Sequence, residues 1–423
     1  MTAAAPTQSR IVTLDIIRGV AVMGIFSVNV IAFAMIEDAY LNPATYGGYH
    51  GIDLSVWAAN MLLIDGKMRT LFSMLFGASM LLVIDRAEAS GQLGIAVHLR
   101  RMQVLLGFGL AHYFLLWFGD ILTLYALSGL IAVVFARLAP RHLIIGGIVA
   151  TLVGMVNFAA YTVDQYAADL AAHAPHASRA AIDAWNYGLG SFYPSPGVLA
   201  ADMALHRGSW WGLASDMLER WRILIPNTLS FIPETVGLML FGMAGYKSGF
   251  LTGQWSDRGY RRFALATVPP GLAAFALLIW ADIASHFYIV TVFGGFLVAV
   301  VPFRIAMTAG YAALIILATR RHGWLATRIA ATGRAAFSNY LGTSLVAAFV
   351  FYGWGLGLYG HVSRAQAWLL VPLVWLLMLA WSKPWLDRFH YGPLEWLWRT
   401  LSRGSLQPMR LRTPARRPND RDG

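Results

Sequence analysis

The sequence predicts an all-α integral membrane protein, a bundle of about ten transmembrane helices with both termini in the cytoplasm. Of its 423 residues, 58% are hydrophobic and only 13% are charged, whereas about 25% are charged in a typical soluble domain. This composition excludes a soluble globular enzyme, a disordered chain and a fibrous protein. The order of the apolar stretches and the positions of the cations complete the prediction.

Apolar stretches of roughly 17–25 residues are long enough to cross a bilayer. Two shorter stretches are ambiguous. Residues 52–64 are interrupted by Asp53 and Asn60, which favours a re-entrant or interfacial helix, and residues 288–302 are either an eleventh span or an extension of the eighth. The ten predicted spans lie near residues 16–36, 68–84, 103–118, 121–137, 142–161, 229–249, 264–283, 303–319, 336–353 and 367–382.

The cations alternate along the chain. With the N-terminus inside, 24 of the 32 Lys and Arg residues fall in cytoplasmic segments, which is the positive-inside pattern. The net charge of +11 therefore mainly reflects which segments lie on the cytoplasmic side of the membrane. Residues 404–423 form a basic tail that we expect along anionic lipid headgroups. This tail lacks the interleaved aromatic residues of a nucleic-acid binder, so we expect no nucleic-acid partner.

The predicted organisation has four parts. A five-span half (residues 1–161) precedes a polar extracytoplasmic segment (162–228), a second five-span half (229–403) and the basic tail. His173 and His176 in the polar segment are too weak a pattern to predict a metal site, and we expect no metal. The chain contains no cysteine, which excludes disulfides and cysteine nucleophiles.

Ionisable and amide side chains inside spans are costly in hydrocarbon, so each is a candidate functional residue, although helix–helix hydrogen bonding is an equal alternative. Asp15 and Arg18 lie three residues apart at the start of the first span. They are either a local ion pair or a site for an anionic group arriving from the cytosol. Asn29 follows Arg18 by about 16 Å along the helix, in the outer half of the span.

Histidines supply the candidate general bases. His50 lies among glycines in the first outer loop, with Asp53 shortly after it. His112 is embedded in an apolar span and needs a partner; Asp120 is one candidate, although a two-residue turn at Gly119 and Asp120 also explains that carboxylate as a helix cap. The other candidate partners in the outer half are Asp53, Tyr125 and Glu234.

Several motifs resemble the YeiB-like bacterial membrane proteins, a domain of unknown function numbered 418. They are Leu14-Asp15-Ile-Ile-Arg18-Gly19 with Val28-Asn29, the stretches 66–78 and 112–126, Gly333-Arg334-Ala-Ala-Phe337-Ser338-Asn339-Tyr340, and Tyr391-Gly392-Pro393-Leu394-Glu395-Trp396. In this order they cover nearly the whole chain. The resemblance implies a multi-pass protein of the bacterial inner membrane, for which a transport role has been suggested.

That family is also grouped with transmembrane acyltransferases, including heparan-alpha-glucosaminide N-acetyltransferase, which carry acetyl groups from cytosolic acetyl-CoA to a sugar across the membrane. The resemblance implies acetyl-CoA or another acyl-CoA as donor, with Asp15, Arg18 and Asn29 at the family's positions. In that enzyme a histidine follows the asparagine by about a dozen residues. The nearest match here, His50, is twenty-one residues on, and His112 is a rival for the same role.

Three hypotheses follow. In the first, the protein is an O- or N-acyltransferase acting on a small-molecule or glycan acceptor: Asp15 and Arg18 receive the donor, His50 or His112 is the base, and Asn29, Asp53, Asp120 and Glu234 orient the reacting groups. In the second, it is a secondary transporter or exporter with His112 and Glu234 as proton relays. In the third, it is a membrane scaffold whose polar groups only join helices.

Overall fold

The computed structural model describes residues 11–190, 192–321 and 323–411. These residues form helices and connecting loops, as the all-α prediction requires; most of the basic tail, together with Arg10 and His322, lies outside them. The helices are α1 (Val12–Ala34), α2 (Gly51–Leu63), α3 (Lys67–Ala89), α4 (Gly94–Leu115), α5 (Leu122–Ala132), α6 (Pro140–Ala172), α7 (Arg179–Gly190), α8 (Pro196–His206), α9 (Trp210–Glu219), α10 (Trp221–Lys247), α11 (Asp257–Ala284), α12 (Ile289–Gly294), α13 (Val301–Thr319), α14 (Trp324–Arg334), α15 (Ala336–Phe351), α16 (Arg364–Trp368), α17 (Leu370–Leu386) and α18 (Pro393–Arg403).

The membrane bundle is confirmed, and each of the ten predicted spans falls on a helix. Within the described residues, seven helical stretches are long and apolar enough to cross a bilayer. They contain α1, α2 with α3, α6, α10, α11, α13, and α16 with α17. The predicted spans at 121–137 and 336–353 fall on shorter apolar helices, and the one at 103–118 falls on α4. The lengths and compositions of these seven helical stretches are those of membrane-spanning segments.

The first helix lies at the centre of the bundle. Most residues of α1 are buried on all sides, whereas α6 exposes an apolar face of Ile144, Ile148, Leu152 and Val156. A helix that is apolar all round and buried belongs to the interior, while an exposed apolar face suits lipid. α1 contacts α3, α13, α14, α15 and α17, so it contributes residues to whatever the bundle encloses.

Small residues set the close helix crossings. A methyl group at Gly242 of α10 would overlap the backbone of Met74 in α3, and one at Gly77 would overlap Met239. Gly333 of α14 lies in the same way against the backbone of Asp15 in α1. Glycine at these positions lets the backbones approach closely, which is the usual geometry of membrane helix interfaces.

Three local expectations are refined. Residues 52–64 form α2, which joins α3 through a short loop where Gly66 has a φ of +70°, a conformation that favours glycine. Residues 289–299 form α12 and one π-helical turn directly before α13, too short for a separate span. The expected two-residue turn at Gly119 and Asp120 is wrong, because six residues, 116–121, connect α4 to α5.

The polar segment is more helical than a plain loop. α6 continues to Ala172 and α10 begins at Trp221, and between them lie α7, α8 and α9. Helices from both halves of the chain pack against one another: α3 contacts α10 and α13, and α1 contacts α14. The two sequence halves therefore share one bundle and build its interior together.

Candidate functional site

Two cavities enter the bundle at opposite ends of α1. The first, which we call the arginine cavity, has a volume of about 260 Å³. It surrounds the start of α1 and is built by α1, α3, α4, α14 and α18. Its charged and aromatic lining residues include Asp15, Arg18, Arg86, Arg101, Arg334, Tyr391, Glu395, Trp398 and Arg399.

The arginine cavity suits an anionic ligand. Five arginines face two carboxylates, which leaves a surplus of positive charge. Arg101 lies 4.2 Å from the Trp398 ring centre and Arg399 lies 4.5 Å from that of Tyr391. Guanidinium groups held in this way pair with phosphate in planar, two-bonded geometry and stack on aromatic faces. Further in, the wall becomes apolar, with Ile25, Leu75, Phe76 and Met102.

The second cavity, which we call the Glu37 cavity, has a volume of about 340 Å³ at the other end of α1. Asn29, Glu37, Tyr40, Arg69 and Asn227 line it. The surface of Glu37 that is accessible to water faces this cavity. On its other sides the residue is enclosed by protein. Burial, reinforced by the neighbouring charge of Asp38, raises the pKa of Glu37 to about 7. This carboxyl group therefore changes its charge near neutral pH.

The two cavities meet at shared walls. Ile25, Ile121 and Tyr340 line both of them. Along α1 the fourteen residues from Asp15 to Asn29 correspond to about 21 Å, so together the cavities reach through most of the hydrocarbon thickness of a bilayer. The two cavities therefore approach each other from opposite ends of α1, and Tyr340 stands in the wall between them.

A histidine–aspartate pair lies beside this shared wall. His112 Nδ1 is 2.9 Å from Asp120 Oδ1, and both side chains are almost fully buried. A carboxylate can only accept hydrogen bonds, so Nδ1 donates to Asp120 and Nε2 points away from it. Asp120 also accepts from the backbone N–H groups of Leu122 and Thr123, at 3.1 Å and 2.8 Å. It therefore caps α5 and orients His112 at once.

His112 packs against Tyr340, with the two ring centres 5.5 Å apart. His112 Nε2 is buried and lacks a hydrogen-bond partner within the described residues. The Tyr340 hydroxyl is also buried and has just a weak contact to the backbone of Ile121. Because a buried polar atom without a partner costs about 1–3 kcal/mol, this pair of atoms is suited to meet a group that the protein itself does not supply.

Glu234 belongs to a different cluster. Its Oε1 accepts from Arg69 Nη2 at 2.9 Å and from Arg304 Nη2 at 2.6 Å. Arg304 is completely buried, and this pairing compensates part of its charge. Glu234 was one of four candidate partners for His112. In the structure, His112 instead pairs with Asp120, and Glu234 forms ion pairs with Arg69 and Arg304.

His50 and Asp53 lie away from the shared wall. His50 is exposed, precedes α2 and packs against Tyr49, with ring centres 3.9 Å apart. Asp53 Oδ1 accepts from the Ser363 hydroxyl at 2.7 Å and from the Ala365 N–H at 2.8 Å, so it holds the start of α16. Neither residue lines the arginine cavity or the Glu37 cavity.

The remaining sequence candidates line the cavities. Arg18 donates to Asp15 at 3.1 Å and to Ser79 at 2.6 Å. The local ion pair is therefore present, and it also forms part of the arginine-cavity wall. Asn29 faces the Glu37 cavity. Tyr125 lines the arginine cavity, and its hydroxyl is 2.9 Å from that of Ser73.

Glu37, Arg69 and Tyr340 were not among the site residues predicted from the sequence. Arg69 and Tyr340 did fall inside the motifs that carried the family resemblance. Glu37 follows the first span directly, and its position at the mouth of a cavity has no signal in the local sequence.

The fold and the two cavities define a polytopic helical membrane protein with two internal cavities that share a wall. Residues 245–405 match the family described as "Protein of unknown function (DUF418)". The chain belongs to this YeiB-like family, which confirms the resemblance seen in its motifs.

Two relatives match along almost their whole length. The uncharacterized protein YeiB of Escherichia coli (strain K12) is 33% identical over 93% of this chain and 97% of its own length. The uncharacterized protein YxaH of Bacillus subtilis (strain 168) is 32% identical over 96% of this chain and 98% of its own. No solved structure matches the chain.

Proposed function

We propose that the protein is an acyltransferase of the bacterial inner membrane, which moves an acyl group from a cytosolic acyl-CoA to an acceptor entering from the opposite side. One observation carries the proposal: the arginine cavity and the Glu37 cavity share a wall at Tyr340, which packs against His112 of the His112–Asp120 pair. A transfer reaction across a membrane requires two separate entrances that converge on one reactive group.

The arginine cavity fits the donor. Its arginines suit the phosphates of a coenzyme A, and Trp398 and Tyr391 offer faces for a base. The narrow apolar interior suits a pantetheine chain, with the nucleotide held at the mouth. The likeness of Asp15, Arg18 and Asn29 to the opening helix of transmembrane acyltransferases also supports this assignment.

The proposed chemistry is general base catalysis. His112 Nε2 accepts the proton of the acceptor hydroxyl or amine, whose oxygen or nitrogen then forms a bond to the acyl carbon. The thioester C–S bond breaks, and the proton on Nε2 passes to the departing thiolate, which leaves as coenzyme A. Asp120 keeps Nδ1 as the donor and stabilises the positive charge on the ring during transfer.

The proposal favours His112 over His50 as the base, because His112 packs against Tyr340, which lines both cavities, and is oriented by a carboxylate. The transporter hypothesis required a relay between His112 and Glu234. Their contacts offer it less support, because each has its own partners, Asp120 for His112 and two arginines for Glu234.

The test uses purified full-length protein with radiolabelled acetyl-CoA. We expect saturable binding that is weakened by the double variant Arg101→Ala/Arg399→Ala, and label transfer or slow thioester hydrolysis that requires His112. The matched control is Arg261→Ala/Arg262→Ala, two exposed arginines outside the cavity. If wild-type protein neither binds acetyl-CoA nor consumes its thioester, the proposal is wrong.

A further inference from the structure

A groove outside both cavities lies between α14 and α17. It has a volume of about 420 Å³, and Trp324, Arg328, Lys383, Asp387 and Arg388 are among the residues that line it. We call it the α14–α17 groove. We propose that it binds the phosphodiester headgroup of an anionic phospholipid, with the acyl chains along α17.

The groove carries surplus positive charge. Lys383 forms an ion pair with Asp387 at 2.6 Å, which leaves Arg328 and Arg388 without a carboxylate among the groove residues. Arg328 Nη1 donates to the Leu379 carbonyl at 2.9 Å, and its guanidinium lies 4.7 Å from the Trp324 ring centre. These contacts fix one side of the guanidinium and leave its other N–H groups for a ligand. Basic pockets between membrane helices are suited to anionic headgroups.

The surroundings select a lipid over a free anion. Along α17, Leu373, Leu376 and Leu377 are all exposed, at 63%, 63% and 52%. Leu376 lies seven residues before Lys383, so both residues are on the same face of the helix. An acyl chain can therefore lie on this apolar surface directly beside a headgroup in the groove. A free phosphate would leave that surface unused.

Aromatic residues place the groove at the membrane boundary. Trp324 is 72% exposed, and Trp381 and Trp385 pack near the end of α17 with ring centres 6.2 Å apart. Tryptophan is enriched at the level of lipid headgroups. A headgroup bound here would contact α14, the same helix that carries Arg334 into the arginine cavity and packs Gly333 on α1.

Native mass spectrometry of the full-length protein tests the proposal, with phosphatidylglycerol titrated against phosphatidylcholine. We expect preferential binding of phosphatidylglycerol by the wild type. The triple variant Arg328→Ala/Lys383→Ala/Arg388→Ala should lose affinity on the order of one hundredfold, since each cation near a membrane surface is worth ~1 kcal/mol. The matched control Arg258→Ala/Arg261→Ala/Arg262→Ala removes three exposed cations of α11 and should bind as the wild type does.

Two further arms keep the result interpretable. Arg388 is exposed, so the single variant Arg388→Gln should fold normally and lose about fivefold in affinity. Excess glycerol phosphate should not displace the lipid. Equal binding of both lipids, equal loss in the two triple variants, or displacement by glycerol phosphate would each overturn the proposal, the last by showing a site for free anions.

Discussion

His112 and Tyr340 pack against each other with ring centres 5.5 Å apart. His112 Nε2 is buried without a partner in the described chain, and the buried Tyr340 hydroxyl has just a weak contact to the Ile121 backbone. Natural proteins rarely leave such atoms unpaired, because burial without a hydrogen bond is costly. The Tyr340 side chain lines both the arginine cavity and the Glu37 cavity, and His112 lies directly behind it. The contact between His112 and Tyr340 is therefore the place where we expect the proposed acyl transfer to occur.

Replacing His112 by alanine should remove the general base. We expect the rate of acyl transfer to fall by about a hundredfold to ten-thousandfold, while binding of acetyl-CoA stays near the wild-type value because the arginine cavity is unchanged. His50→Ala is the control and should retain full activity. The measurement is label transfer together with equilibrium binding. A larger loss in His50→Ala than in His112→Ala would contradict the assignment.

Substitution of Tyr340 tests whether the two cavities communicate. A tryptophan at this position enlarges the shared wall, so Tyr340→Trp should bind donor normally but transfer little label. Tyr340→Phe removes the hydroxyl and should leave the thermal stability close to that of the wild type, because it gives up just a weak contact to the Ile121 backbone. Donor binding, transfer rate and melting temperature are measured for each. Wild-type transfer by Tyr340→Trp would show that the reaction does not pass this residue.

Glu37 should make the stability of the protein depend on pH. Its pKa is raised from 4.5 to about 7 in the folded protein, so the folded state holds the proton more tightly than the unfolded chain does. This contribution is fully present below pH ~4.5 and is lost as the pH rises through about 7. In melting curves across this range, Glu37→Gln should lose stability less steeply than the wild type.

The neighbouring carboxyl group of Asp38 should contribute to the same pH dependence, and its charge also acts on Glu37. Burial and the charge of Asp202 raise the pKa of Asp38 to about 6, so Asp38→Asn should flatten the lower part of the same pH range. The double variant should be flatter than either single variant. Identical pH profiles for the wild type and Glu37→Gln would contradict the prediction.

The sequence predicted the spans well because bilayer-crossing helices require long apolar runs, which are local features. It also marked His112 and Asp120 because a polar residue in an apolar span is conspicuous. The choice of partner was not local. Asp53, Asp120, Tyr125 and Glu234 were all candidates, and the packing of α4 against α5 selected Asp120.

The cavities themselves were beyond sequence reasoning. Glu37, Arg69 and Tyr340 come from three separate parts of the chain, and only the crossing of α1, α3 and α15 brings them to one interior. Arg304 illustrates the same limit: the sequence places it at the start of the predicted span 303–319, whereas the structure buries it against Glu234. Such pairings depend on tertiary contacts that no single segment encodes.

Glycine positions allow a test of the helix packing. A methyl group at Gly242 would overlap the backbone of Met74, whereas one at Gly107 of α4 would meet no atom of the described residues within 4 Å. Gly242→Ala should therefore destabilise the protein by about 1–3 kcal/mol. Gly107→Ala should be neutral or stabilising by up to ~1 kcal/mol, because alanine favours the helix. Thermal unfolding of the two variants measures the difference; equal behaviour would argue against the α3–α10 crossing.

Variants of Glu234 distinguish most clearly between two roles for this residue, as part of a structural ion cluster or as a proton relay. Removing its carboxylate in Glu234→Ala leaves Arg304 buried without a counter-ion, and loss of one partner of a buried pair costs about 3–5 kcal/mol. We expect this variant to unfold at a markedly lower temperature. Glu234→Met/Arg304→Met removes both buried charges and should recover part of that loss. Arg69, the other ion-pair partner of Glu234, also loses its carboxylate in this variant, but 24% of its side chain is exposed, so it can turn towards the water in the cavity. A proton relay predicts the opposite pattern, with Glu234→Ala stable but inactive and the double variant no more stable than the single one.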